Sequence, residues 1–261
     1  MSDLLHNLPV AWLAVVVFAI TYLAAAAIYA IVAASAGGGR GRAFKAVSPG
    51  MLPPLAIIFA LFVVFTASQV WSDNERASAA VSHEASALRA AMVLAASLPG
   101  EPASHLRSQV RRYIQEVTAE EWPMMAKRAA TLGAGSHHLA GALISLLAVN
   151  PGNPGQQTAQ ATIAADLETA LDARRQRILI SRSEISPAKW SCLFIQAVCT
   201  LLAIAMVHSD NRLAAMFAMG IFATGVAASV MLIVAYDRPF VGELAVSPEP
   251  LLQVMADLEA D

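Results

Sequence analysis

Four stretches of this chain, residues 8–35, 51–71, 190–207 and 213–236, contain no Asp, Glu, Lys or Arg. About 20 apolar residues cross the hydrocarbon core of a bilayer, so each stretch is long enough to be a transmembrane helix. The arrangement predicts an all-α integral membrane protein, with four transmembrane helices in two hairpins that flank a helical aqueous domain. Composition agrees: 57% of the residues are hydrophobic and 14% charged, against about 25% charged in an ordinary soluble domain.

The expected organisation is a first transmembrane hairpin at 1–71, an aqueous domain at 72–189, a second hairpin at 190–236 and a C-terminal tail at 237–261. The start of the chain lacks a basic region, and its apolar run exceeds the roughly 7–15 residues of a secretory signal, so it is read as a retained first helix despite the small residues at 33–36. That helix carries Trp12 and Tyr22, and the four alanines at 24–27 offer a small surface for the second helix to pack on. Gly37 to Arg42 reads as a flexible basic turn, Ser48-Pro49-Gly50 with Pro53-Pro54 as the entry to the second span, and Trp71 as its interfacial end. Gly220 and Gly225 are expected to let another helix approach the fourth span closely. Cys192 and Cys199 lie seven residues apart in one span, about two helical turns, too far to bridge, and read as packing residues.

Between the hairpins the hydrophobic pattern has no sustained alternation and reads as helices throughout. Residues 72–98 continue the second span, and Pro99-Gly100-Glu101-Pro102 breaks it. Helices follow at about 103–121, in a short apolar segment at 138–149, and at 156–185, with Pro123, Asn150 to Gly155 and Pro187 as the boundaries. The tail is short and acidic and is expected to lie at the membrane surface.

Several short motifs recur in a fixed order: Trp71; Ala77 to Leu88 (ASAAVSHEASAL); Tyr113 with Glu120-Glu121-Trp122-Pro123; Arg174-Arg175-Gln176-Arg177; Pro187 to Trp190; and Asp237 to Gly242 (DRPFVG). In their order and spacing the chain resembles the bacterial bestrophin-like domain family, a membrane family of unknown activity named for its likeness to bestrophin anion channels. The resemblance implies helix pairs flanking a helical aqueous domain and, by fold-level analogy, a homo-oligomeric ring around an ion path. Where bestrophins carry an Asn-Pro-Phe-Gly type sequence and an acidic calcium-binding cluster, this chain has Arg238-Pro239-Phe240-Val241-Gly242 and scattered acids such as Glu243 and Glu249, so calcium gating is not implied.

Channel pores are built from polar rings or from hydrophobic constrictions that gate by dewetting. Phe59, Phe62 and Phe65 recur every third residue, with Thr66, Ser68 and Gln69 following, a pattern that can make an apolar neck opening into a polar vestibule. The same phenylalanines can equally face lipid or a neighbouring helix. Gln196 is a polar group at membrane depth and is expected to hydrogen-bond another helix.

Glu84, Arg112, Glu120, Glu121, Arg174, Arg175, Arg177 and Arg182 are read as ion pairs tying the insert together, with basic residues near the membrane alternatively drawing anions to a pore mouth or lipid headgroups to the surface. Asp237 and Arg238, ahead of Pro239, are expected to stop the fourth span and exchange a salt bridge with a neighbour.

No catalytic constellation is recognised. His137-His138 reads as a loop pair without a matched carboxylate, His83-Glu84 lacks a second His, and Gly37 to Gly41 lacks the Lys and Ser/Thr of a phosphate loop. No enzyme activity, cofactor or metal is expected, and the basic residues, interleaved with acids and without aromatic platforms, do not point to nucleic acid.

Basic residues near the span ends are four on one face, Arg40, Arg42, Lys45 and Arg212, and seven on the other, Arg76, Arg174, Arg175, Arg177, Arg182, Lys189 and Arg238. That balance favours a multi-pass protein of the cell (inner) membrane with the insert and both termini in the cytoplasm. The expected partners are lipid, further copies of the chain and small anions. Two functions stay open: passive anion conduction, or a non-conducting membrane sensor or scaffold whose helical domain binds a partner or lipid.

Overall fold

The computed structural model describes residues 9–36, 40–98, 100–133 and 136–260. Among them there are helices and no strands: α1 (Val10–Ser35), α2 (Arg40–Ala95), α3 (Gly100–Glu116), a π-helical turn (Val117–Glu121), α4 (Trp122–Ala126), α5 (Ser136–Leu147), α6 (Pro154–Ser181), α7 (Pro187–Val207), α8 (Arg212–Tyr236) and α9 (Glu249–Ala260). Four helices are long and apolar enough to cross a membrane, α1, the part of α2 from Gly50, α7 and α8, with hydropathies of 2.1 to 2.5 over their best windows. Leu8, Gly37 to Gly39, Pro99 and Asp261, which fall within readings made from the sequence, lie outside the described residues.

Helix starts follow local chemistry. Asn153 caps α6, its Oδ1 accepting the Gln156 N–H at 2.9 Å, with Pro154 in the first turn, which moves the start two residues ahead of the sequence reading. Ser186 caps α7 ahead of Pro187, and Asn211 caps α8 by accepting the Ala214 N–H at 3.1 Å. The second span departs from expectation: α2 already runs from Arg40 through Pro49, Pro53 and Pro54, so Arg40 to Arg42 of the basic turn are helical and the proline cluster is not a break. Membrane helices tolerate interior prolines because local adjustments re-satisfy the freed carbonyls.

The chain divides into two compact units. The first holds α1, α2 up to Ser72, α7 and α8. In it α1 packs most extensively along α8 and next along α7, rather than chiefly on α2 as the alanine run implied; of the four alanines only Ala25 is buried. Small residues do make the close contacts of α8, but they are Ala223 and Ala227, whereas a methyl group added at Gly220 or Gly225 would meet nothing within 4 Å. One end of this bundle is tied by side chains: Trp71 stacks on Tyr236 with centroids 6.1 Å apart, Asp237 accepts the Ile185 N–H at 2.9 Å, Lys189 donates to Gln69, and Glu243 accepts the Val10 N–H at 3.2 Å. The outward side chains are large and apolar, with Ile221 74%, Phe217 71% and Phe65 71% exposed. Such surface is rare on water-soluble proteins and is what lipid contact requires.

The second unit holds the rest of α2, α3 to α6 and α9. Its main core joins Leu88 and Ala91 of α2, Leu106, Val110 and Ile114 of α3, Leu139 of α5, and Ile163 and Leu167 of α6. The acidic tail does not stay at the surface: Leu251, Val254 and Leu258 of α9 enter the same core, a spacing of three, four and seven that forms one helical stripe. Arg111 donates to the Leu258 carbonyl at 3.0 Å, and Arg89 pairs with Asp257 at 3.1 Å.

Leu251 is fully buried and Leu252 is only partly so. Leu251→Ala is therefore expected to cost about 2–5 kcal/mol, and Leu252→Ala distinctly less. Thermal unfolding in detergent, followed by near-ultraviolet circular dichroism, checks this; equal and small effects would mean that α9 is not part of the core.

Candidate functional site

The most concentrated chemistry lies in the second unit. Arg174 and Arg177 are three residues apart on α6 and so share a face. The Arg177 Nε donates to Glu84 Oε2 at 2.8 Å, and its Nη2 reaches both Glu84 Oε1 at 3.1 Å and Glu121 Oε1 at 2.8 Å. The Arg174 Nε donates to Glu121 Oε2 at 2.9 Å, a contact that its Nη2 shares, and its Nη1 reaches the Leu132 carbonyl at 3.2 Å. Tyr113 donates its hydroxyl to Glu84. The Arg177 guanidinium also lies 4.9 Å from the Trp122 ring and 3.3 Å from Met125 Sδ. Glu84, Arg177, Glu121 and Arg174 are all at most 4% exposed.

Two carboxylates and two guanidiniums make this cluster formally neutral, and each carboxylate oxygen accepts at least one hydrogen bond. Both conditions matter, because burying an ion costs several kcal/mol unless its partners are in place. Burial and the Glu84 carboxylate push the Tyr113 phenol well above its ordinary value, which keeps it a donor. Burial opposes the Arg177 charge, but the Glu84 carboxylate, Tyr113 and Glu121 outweigh it and raise its pKa. Burial pushes the Glu121 carboxyl up, against the pull of Arg177 and Arg174.

The π turn is what aims Glu121. Tyr113 and Glu121 are eight residues apart, which on a continuous α-helix sets them about 80° apart; one residue absorbed by the π turn brings them within about 20°. Both then face α6.

The remaining sequence candidates are dispersed. Arg112 is exposed and outside the cluster; Arg182 is exposed and donates to the Ala130 carbonyl at 2.6 Å; Arg175 pairs with Asp172 at 3.4 Å in solvent; Arg238 is buried. On α2 in the first unit the three phenylalanines do not share an environment. Phe59 is buried with its ring 5.4 Å from Phe222, Phe62 is partly buried, and Phe65 faces outward. Thr66 is buried and donates to the Phe62 carbonyl at 2.8 Å, while Gln69 is exposed and holds Lys189.

Reasoning from the residues left out the packing of Trp122 and Met125 on Arg177, and gave Tyr113 no role beyond its place in a motif. A large aromatic and an acid at helical spacing would have been the available signal. His137 and His138 also stand differently from their reading: they begin α5 instead of a loop, and Glu116 is the carboxylate beside them, 3.3 Å from His138.

Arg177→Met would leave Glu84 without a cation, at an expected cost of about 3–5 kcal/mol. An unpaired buried carboxyl has a folded-state pKa above its unfolded value, so it favours the fold at low pH and its contribution is lost as pH rises through the folded pKa. The deficit of the variant against wild type should therefore shrink between about pH 8 and about pH 5, as read from thermal unfolding; a deficit independent of pH would contradict this account of the cluster.

Of the motif residues, Glu84, Tyr113, Glu121, Arg174 and Arg177 share the cluster in the second unit, while in the first unit Trp71 stands at a span end and Gly242 has a φ of 88°, where a side chain would be strained. No curated protein matches the chain. The bestrophin-like domain profile matches residues 10–251, and the chain, a multi-pass membrane protein in contact with lipid, belongs to the bestrophin-like domain family.

Proposed function

We propose that copies of this chain assemble into a ring in which the outward face of α2 surrounds a passive path for small anions. The observation that carries this reading is how little of α2 is covered within one chain: 11% of its span window is buried, against 39% for α7 and for α8. A helix left bare by its own chain, and carrying Phe65, Ser68 and Gln69 on its exposed side, is the natural element for contacts between copies and with a path. The spans hold no charged residue for ion coupling, which favours a passive path over a coupled transporter, and no catalytic role is assigned.

In this reading the four spans form two helix pairs flanking an aqueous helical domain, and α7 and α8, joined by a short turn and packed on one another, make the second pair. Phe62 and Phe65 form the neck, Gln69 opens the vestibule, and Phe59 and Thr66 support them from within the chain. The α2 face carries no fixed charge, so selectivity among anions comes from how readily each sheds water in an apolar constriction. Basic residues near the membrane and outside the neutral cluster, Arg182 and Lys189, raise the local anion concentration.

Halide flux through purified protein in liposomes, with the mass of the complex measured in parallel, tests the proposal. A ring of several copies that conducts, and whose halide selectivity falls severalfold in Phe65→Ala and Phe62→Ala, is the expected result. A ring that passes no halide would favour the sensor or scaffold function, and conduction unchanged in both variants would remove α2 from the path.

In this reading the second unit lies in the cytoplasm, and the cell's inner membrane holds the spans. Ser86 is exposed on the second-unit part of α2. In a background with Cys192 and Cys199 replaced by Ala, Ser86→Cys should react with a membrane-impermeant maleimide only after the cells are opened; labelling of intact cells would reverse the orientation.

A further inference from the structure

We propose that Glu116, His137 and His138 form a binding site for a divalent transition-metal ion of the zinc type. The three residues present ligand atoms that all lie within 4.8 Å of one another, and they line an open groove with Arg112, Gln115 and Glu120. The His138 Nε2 is 3.3 Å from Glu116 Oε2, and the His137 Nε2 is 3.8 Å from the same oxygen. With metal bonds of about 2.1 Å, two ligands of a tetrahedral zinc ion stand about 3.4 Å apart. The pair already has that spacing, and the exposed His137 needs only a small movement.

The hydrogen bonds behind His138 form a chain. With the Ser145 hydroxyl donating to the Ala142 carbonyl at 3.0 Å, its oxygen accepts from His105 Nδ1, 3.3 Å away. His105 therefore carries its proton on Nδ1 and presents a lone pair at Nε2 to the Gln109 amide nitrogen, 3.4 Å away. That turns the Gln109 Oε1 towards His138 Nδ1 at 3.0 Å, and this oxygen requires a proton on Nδ1. What remains at Nε2 of the neutral ring is a lone pair directed at the Glu116 carboxylate. Two electron-rich atoms at that distance repel, and a cation between them turns the repulsion into coordination. A ligating His whose other nitrogen donates to an oxygen is the arrangement that fixes tautomer and ring orientation in metal sites.

The donor set of two imidazoles and one carboxylate suits zinc and its transition-metal neighbours; magnesium and calcium prefer oxygen shells. Such an ion would tie the last residue of α3 to the first turn of α5, and so bracket the π turn that carries Glu121. The site stands independently of ion conduction.

The test uses tag-free, full-length protein in detergent, stripped with a chelator and titrated with zinc by calorimetry and with cobalt by visible absorption. Wild type should take one ion per chain, with cobalt giving the bands of a nitrogen and oxygen site, and magnesium and calcium should not compete. Glu116→Gln and His138→Ala should abolish stoichiometric binding, and Gln109→Ala, which releases the ring, should weaken it about 10–100-fold. His137→Ala alters a side chain that is 65% exposed, so it tests the site with little demand on folding; it too should weaken binding. Absence of stoichiometric zinc binding by wild type, or unchanged affinity in His137→Ala and Glu116→Gln, overturns the proposal.

Discussion

The second unit is organised around the requirement that two carboxylates and two guanidiniums be out of water together. Arg177 reaches Glu84 across 93 residues of sequence and Glu121 across 56, so one side chain gathers α2, the π turn and α6. Removing any member leaves an uncompensated buried charge, and that cost, several kcal/mol, is larger than the gain from most single apolar contacts. The cluster therefore sets helix register more than it adds net stability, since a similar volume of apolar side chains could pack the same space at no desolvation cost. Tyr113 and the face of Trp122 complete the shell, one by donating a proton, the other through its ring charge distribution.

Apolar packing then takes over on both sides of that point. Leu88 lies one turn beyond Glu84 on α2, and Ile178 follows Arg177 on α6, each fully buried. The polar cluster specifies which helices meet and at which height, and the leucines and alanines around it supply non-directional burial energy. The π turn belongs to this logic: an α-helical continuation of α3 would rotate Glu121 off the face that Tyr113 holds, so the wider turn persists because the ion pairs reward it.

The spans were legible in the sequence because absence of charge over some 20 residues is a local property with one physical meaning. The boundaries at Asn150 to Gly155 and at Pro187 were legible as loop signals, whereas the capping roles of Asn153, Ser186 and Asn211 emerge only from the fold. What escaped depends on distance. The π turn offsets the chain by one residue and has no composition of its own. The acidic tail read as surface because its charges mask the stripe of Leu251, Val254 and Leu258. Gly220 and Gly225 read as close-approach positions, yet it is Ala223 and Ala227 that meet the neighbours: Gly220 shares their face but has open space beside it, and Gly225 is exposed. Glu116 and the histidine pair are separated by a π turn, a short helix and a loop, and no motif spacing announces them.

The two units face opposite accounts of what their surfaces may be. In the first, large side chains on the outside carry no penalty in lipid, because hydrocarbon is as apolar as they are; burial within the chain is correspondingly sparse, and polar exceptions such as Gln69, Lys189 and Asp237 sit at one end of the bundle with partners. Without a hydrophobic drive between helices, association there depends on close packing and on polar groups that need a partner. In the second unit every apolar face must be covered, and α9 covers one. The chain thus carries one unit with an ion-pair cluster and an apolar core of its own and one whose bare α2 surface is satisfied equally by lipid or by another copy. Lipid makes the bare helix permissible, and a second copy gains the advantage only through close packing or polar contacts that lipid does not offer.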